Sequence, residues 1–178
     1  MPVAGGFWRP TATCLLLACL FLAAVPVRAQ SVGEAVVKAG FLLNFAKFTQ
    51  WSRQRDKLLM CSPSTQVLGG QFALLQGRLV DGRDVEVRQG VANADWRGCD
   101  LLFLTDSDEG RADVILRAVA GIPVLTVADF PGFLHLGGMM VLRLEDSRVR
   151  FDVNLVAVER GGLVLNNQMV KLAGRVLQ

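Results

Sequence analysis

Residues 101–127 read LLFLTDSDEGRADVILRAVAGIPVLTV, and this stretch decides the fold class. Leu101-Leu102-Phe103-Leu104 is an apolar run with no polar alternation, the pattern of a strand covered on both faces. Gly110 to Ala120 then carries apolar residues at helical spacing, with Val114, Ile115, Ala118 and Val119 inward. Pro123 opens a second continuous run, Val124-Leu125-Thr126-Val127. Two buried strands joined by a helix are parallel neighbours linked by a right-handed crossover. The fold class is therefore α/β, with helices layered around a mostly parallel central sheet.

Upstream, Leu58-Leu59-Met60-Cys61 is a short apolar run, and residues 67–76 read as helical through Phe72, Leu74 and Leu75. Asp81-Gly82 is a turn, after which Val85 and Val87 alternate with charged neighbours as a half-exposed strand. The spacing of Val37, Phe41, Phe45, Phe48 and Trp51 predicts an amphipathic helix over Val32 to Trp51. Asn44 lies within that stripe and is expected to be a hydrogen-bonded core position. Leu42 and Leu43 widen the stripe until most of the circumference is apolar. Phe41, Leu42, Phe45 and Phe48 are therefore candidates for a packing surface or the interface of a homodimer.

Downstream, Met139 to Leu144 and Arg148 to Val153 form an antiparallel hairpin across Glu145-Asp146-Ser147. Val149, Phe151 and Val153 face one side. Arg148, Arg150 and Asp152 face the other and, with Arg143, make a charged set on the outer face. A last helix is expected from about Asn166, with Leu165, Met169, Leu172 and Val176 inward.

The first 29 residues contain two Arg and no acid and do not belong to this pattern. Arg9 gives a thin positive start, Ala12 to Val25 is apolar, Pro26 breaks the run, and Val27-Arg28-Ala29 supplies a signal-peptidase site. Cleavage is expected before Gln30, leaving residues 30–178 as a single exported domain. The apolar run is short of the roughly 20 residues a spanning helix needs. Lipidation at Cys19 would cut it in half.

Of the whole chain's 178 residues 52% are hydrophobic and 20% charged, with net charge +3, one His and no Tyr. Cleavage removes two of the 19 Lys and Arg and none of the 16 acids, leaving +1. No Lys/Arg block reaches the density that nucleic-acid binding requires. Two cysteines leave with the leader, so Cys61 and Cys99 remain. In an oxidising compartment two thiols in one small domain commonly pair. The competing reading is two buried, unpaired cysteines.

Catalytic machinery is missing. His135 is the single histidine, and no G-x-S-x-G elbow accompanies it. No glycine-rich phosphate cradle follows a strand, and no cofactor or metal site is predicted. Asp106-Ser107-Asp108-Glu109, between a strand and a helix, is expected to cap that helix. The sheet edge near Ser62, Thr105 and Asp106 is where a small ligand would bind in an open α/β sheet, so a periplasmic small-molecule binding protein of a sensory system is the alternative reading.

Lys38-Ala39-Gly40-Phe41-Leu42-Leu43-Asn44-Phe45-Ala46-Lys47-Phe48-Thr49-Gln50-Trp51 resembles the opening helix of the YfiR-like family. Pro123 to Asp129, Gly137 to Met140, Val149 to Leu155, Gly162-Leu163 and Gln168 to Ala173 extend the resemblance over nearly all of residues 30–178. Cys61 and Cys99 sit where the family commonly carries cysteines. The resemblance implies a non-enzymatic repressor in the periplasm. Such a protein binds the periplasmic domain of a YfiN-like inner-membrane diguanylate cyclase, with cyclic-di-GMP and biofilm formation kept low and release linked to disulfide chemistry. It also implies sequestration by an outer-membrane lipoprotein. From the family's C-terminal motif, Arg150, Asp152, Asn154 and Glu159 are the candidate partner-binding residues. The sequence departs from YfiR in lacking a second cysteine pair, since Leu134 to Val141 contains no Cys.

Overall fold

A computed structural model describes residues 1–2, 32–53 and 55–178. The expected leader, residues 1–29, and its expected cleavage site lie almost wholly outside the described residues. In chain order the elements are α1 (Val32–Lys47), β1 (Thr49–Gln50), β2 (Lys57–Ser62), β3 (Leu79–Val80), β4 (Arg83–Gln89) and β5 (Leu101–Leu104). They continue with α2 (Ala112–Ala118), β6 (Leu125–Ala128), β7 (Met140–Glu145), β8 (Arg148–Asn154), α3 (Leu155–Arg160), β9 (Val164–Leu165), α4 (Asn167–Lys171) and β10 (Val176–Leu177).

The central sheet has eight strands in the order β10-β8-β7-β6-β5-β2-β4-β3, and β1 pairs with β9 in a separate two-stranded sheet. The pairs from β7 through β6, β5 and β2 to β4 are parallel, while the β7–β8 and β3–β4 hairpins are antiparallel. The α/β reading and the C-terminal hairpin are therefore both present. The apolar run of β5 has its stated cause, because its alternate residues enter two different cores. Leu101 and Phe103 pack with α1, whereas Leu102 and Leu104 pack with α2, Trp96 and the cysteines. Cys61 at the end of β2 and Cys99 ahead of β5 form a disulfide, with Cα atoms 6.0 Å apart and both residues fully buried.

Several local expectations are corrected. The first helix stops at Lys47, because the Thr49 hydroxyl donates to the Phe45 carbonyl at 2.6 Å and Asn166 N–H donates to the Phe48 carbonyl. Its buried seam is Ala35, Lys38, Ala39, Leu42, Phe45 and Ala46. Val37 is instead 46% exposed, and Asn44 lies in solvent rather than in the core. A helix that is apolar on all sides has no unique stripe, and small alanines let this one approach the sheet closely. Leu42 and Phe45 are buried, Phe41 is half-buried and Phe48 is exposed.

Residues 67–76 form two short 3-10 turns rather than a helix, since Leu68, Gly69 and Gly70 all adopt positive φ. The expected last helix shrinks to α4. Leu172 is 75% exposed, and Val176 enters β10 beside β8. The short helix α3 was not expected. Asn154 caps it by accepting from Ala157 N–H at 3.0 Å. No described helix is long and apolar enough to cross a membrane.

Candidate functional site

The polar side chains of the C-terminal hairpin converge on one carboxylate. β7 carries Arg143 and Glu145, β8 carries Arg150 and Asp152, and Arg175 enters from the segment just before β10. Arg143 lies directly opposite Arg150 in the ladder, a pairing that repels unless acids are placed between the two. Two acids do this. Arg143 Nε donates to both Asp152 oxygens at 3.1 Å, and Arg143 Nη1 lies 2.9 Å from Glu145 Oε2. Arg150 Nε approaches the same Glu145 oxygen at 3.6 Å. The Glu145 hydrogen bond and then Asp152 hold the Arg143 pKa above the ordinary arginine value.

Asp152 also receives Arg175 three times, from its backbone N–H at 3.0 Å, Nε at 2.9 Å and Nη2 at 2.8 Å. Its side chain is fully buried, so it does not lie exposed on the outer face as the alternation of β8 suggested. The alternation itself is right. Asp152 is covered by Arg143 and by the chain at Gly174–Arg175, which returns from a distant part of the sequence. A Cβ at position 174 would lie 2.5 Å from Arg143 Nη2 and 3.0 Å from Asp152 Oδ1, so a larger residue there would displace the Arg143 head group. Sequence reasoning missed Arg175 and the role of Glu145. The available signal was the glycine just before an arginine near the end of the chain.

The other two candidate residues lie nearby in the chain with different roles. Asn154 caps α3 and donates from Nδ2 to the Leu134 carbonyl at 3.2 Å. Glu159 is exposed on α3. Beside the Arg143–Asp152–Arg175 group is a cavity of about 370 Å³ with Leu134, Val141, Leu144 and Leu177 among its walls and exposed His135 at its edge.

Removing Asp152 tests the cluster. Asp152→Ala is expected to cost about 2–3 kcal/mol, below the full penalty for a broken buried pair because Arg175 can turn to solvent. Urea denaturation measures it, and a change under about 0.5 kcal/mol, the range of a neutral surface substitution, would show that the carboxylate is not the organising centre.

The alternative site at the carboxyl ends of β2 and β5 is filled by its own side chains. Asp108, fully buried, accepts from Ser64 Oγ at 2.8 Å, Thr105 N–H at 3.0 Å, Thr105 Oγ1 at 3.2 Å and Arg111 Nε at 3.0 Å. The expected cap on the following helix is not formed: the acidic stretch makes a 3-10 turn of its own, Asp106–Arg111, boxed by Thr105 and Asp108, α2 has no side-chain cap, and Asp106 remains exposed. With the carboxylate so fully used, little polar capacity is left there for a ligand.

Comparison with known proteins places these features in a wider set. A family described as YfiR/HmsC-like matches residues 35–174, a span that holds both cysteines, the hairpin and Gly174. Among solved structures, the chain is similar to a conserved domain protein from Vibrio cholerae O1 biovar El Tor, with TM-score 0.54 and 8% identity over 80% of this chain and 60% of that one. The chain thus spans less than two thirds of that relative, and at this identity the likeness is one of fold. A second similarity is to the ABC domain in complex with L-Trp from Streptococcus pneumonia, with TM-score 0.49 and 9% identity over 68% of this chain and 55% of that one.

Proposed function

Because the chain belongs to the YfiR/HmsC-like family, we propose that it is a periplasmic negative regulator of cyclic-di-GMP signalling that works by binding and not by catalysis. The family match over residues 35–174 carries the reading. In this reading the chain is exported, residues 1–29 are removed before Gln30, and residues 30–178 form one domain. N-terminal sequencing of the periplasmic protein tests the cut.

The partner is the periplasmic domain of a YfiN-like inner-membrane diguanylate cyclase. A regulator can hold such an enzyme off only by binding its inactive state more tightly than its active one. A shift from 1:99 to 99:1 needs an affinity ratio of about 10⁴. Arg150, Asn154 and Glu159 are proposed contacts, and Asp152 acts beneath them by fixing Arg143 and Arg175. An outer-membrane lipoprotein that sequesters the regulator, and redox control through Cys61 and Cys99, belong to the same proposal. So does a homodimer, formed through the side of α1 where Val36 and Phe48 are exposed. Sedimentation that finds only monomer at micromolar concentrations removes the dimer.

Deleting the gene tests the core of the reading. Intracellular cyclic-di-GMP and matrix production should rise, and re-expression should restore them. Unchanged levels in a strain that carries the cyclase would count decisively against repression.

A further inference from the structure

The outer edge of β8 is only partly covered. Asn154 N–H donates inward to the Met139 carbonyl, whereas Val153 N–H donates outward to the Arg175 carbonyl and the Phe151 carbonyl accepts outward from Gly174 N–H. Direction alternates along an antiparallel ladder, so Val149 shares the outward sense of Phe151 and Val153. β10 pairs only with Val153 and Asn154. The Phe151 N–H and both backbone groups of Val149 therefore face away from β7, with no strand beside them among the described residues.

The two sides of this open edge differ in chemistry. Toward α1 a groove is lined by Val37, Phe41, Leu144 and Val149 together with the charged Glu34 and Arg148; Val37 and Leu144 are 46% and 55% exposed. The opposite face of β8 carries Arg150, while Arg148 at the start of the strand also borders the groove. Arg148 makes no ion pair among the described residues, and that of Arg150 with Glu145 is long, at 3.6 Å. Exposed strand edges are templates for strand addition.

We propose that the Arg148–Phe151 edge of β8 receives an extended segment of a partner protein whose residues alternate apolar and acidic. The period of two in a strand sends its apolar side chains to the α1 groove and its carboxylates to Arg148 and Arg150, while main-chain hydrogen bonds supply the pairing. A second copy of this chain is a poor occupant, since its own β8 would set arginine against arginine. The inference rests on the reading of the chain as a binding protein and adds the mode and chemistry of recognition.

The probe is an N-acetylated, C-amidated hexapeptide of alternating glutamate and valine, added to the full exported chain. Amide exchange is followed by NMR. At a peptide concentration about ten times its Kd, exchange at Val149 and Phe151 should slow about tenfold. The Arg150 amide, which points to β7, should be unaffected. Three changes should abolish the slowing: N-methylation of the peptide backbone, lysine in place of glutamate, and Val149→Pro. The last removes an outward N–H and leaves the β7 ladder intact. Arg150→Glu should move the preference toward the lysine peptide. Absence of slowing with the glutamate peptide, or equal slowing with the lysine or N-methylated peptide, overturns the inference. Cyclase-domain binding that survives Val149→Pro unchanged also overturns it and leaves the regulatory reading standing. A cyclase domain that never binds the wild type removes the regulatory reading, and the peptide result still decides the edge.

Discussion

Replacing Lys38 by Met is expected to destabilise the fold by about 3–5 kcal/mol, the cost of stranding charges in a buried ion-pair network. The Lys38 side chain is only 6% exposed, with Nζ 2.8 Å from Glu34 Oε1 and 2.9 Å from Asp129 Oδ2. The Asp129 side chain is 8% exposed, and its Oδ1 has no hydrogen-bond partner among the described residues. Removing the ammonium therefore leaves Asp129 without a counter-charge, while Met retains most of the stem volume and so separates the charge effect from a cavity. The double variant Lys38→Met/Asp129→Leu should recover most of the loss, since deleting both charges removes the stranded one. A Lys38→Met variant within about 1 kcal/mol of wild type in urea would refute the argument, that loss being typical of an ordinary substitution.

The same network makes a pH prediction. Burial by itself lowers the Lys38 pKa, but the hydrogen bond to Glu34 and the charge of Asp129 outweigh it, and the net shift is upward from 10.5. The folded pKa thus exceeds the unfolded one. The contribution is fully present below the unfolded value and is lost as pH rises through the folded value. Wild-type stability should decline above pH 10.5 through a component that Lys38→Met lacks. Parallel decline of the two proteins there would contradict the assignment.

Loss of the disulfide is the second large effect. Cys61 and Cys99 are separated by 38 positions, and closing such a loop restricts the unfolded chain by about 3–4 kcal/mol. For a domain of this size that corresponds to a fall of roughly 10 °C in Tm. The double variant Cys61→Ala/Cys99→Ala isolates the crosslink, because alanine leaves no thiol to titrate or reoxidise. Coincident melting curves for it and the oxidised wild type would remove the structural role.

Both sulfurs lie in a core cluster that also contains Trp96, 2% exposed, with Nε1 donating to the Val91 carbonyl at 2.9 Å. A reductant reaches the bond only when that cluster opens. Reduction of the folded protein should level off at the opening rate as dithiothreitol is increased, with a concurrent change in tryptophan fluorescence. Any redox control of binding would then be gated by local unfolding of this cluster.

Much of the architecture was legible because burial leaves its mark on local pattern. β5 and β6 read as continuous apolar runs since both faces are covered, and β7 and β8 read as a hairpin since one face is charged. The disulfide was legible from count, since residues 30–178 contain two cysteines. α1 was legible as a helix but not in its orientation. Its inward face is set by alanines and by a paired lysine, residue types that carry weak or contrary hydrophobic signals.

What local pattern could not supply was pairing between distant segments. Leu165 to Val176 has helical spacing, yet the open edge of β8 and the Asp152 carboxylate hold Gly174 and Arg175 in place and lead Val176 and Leu177 into a strand, and that competition is invisible in a window of twelve residues. Asp152 alternates like a solvent-facing residue and is buried only because Arg143 and Arg175 arrive from either side. The six longer strands, the two-faced core and the pair of cysteines available for a crosslink follow from composition and periodicity, whereas β1, β3, β9 and β10 do not. Which face of α1 is inward, where the last helix stops and which carboxylate organises the hairpin follow from tertiary contacts, because each depends on a partner far away in the chain.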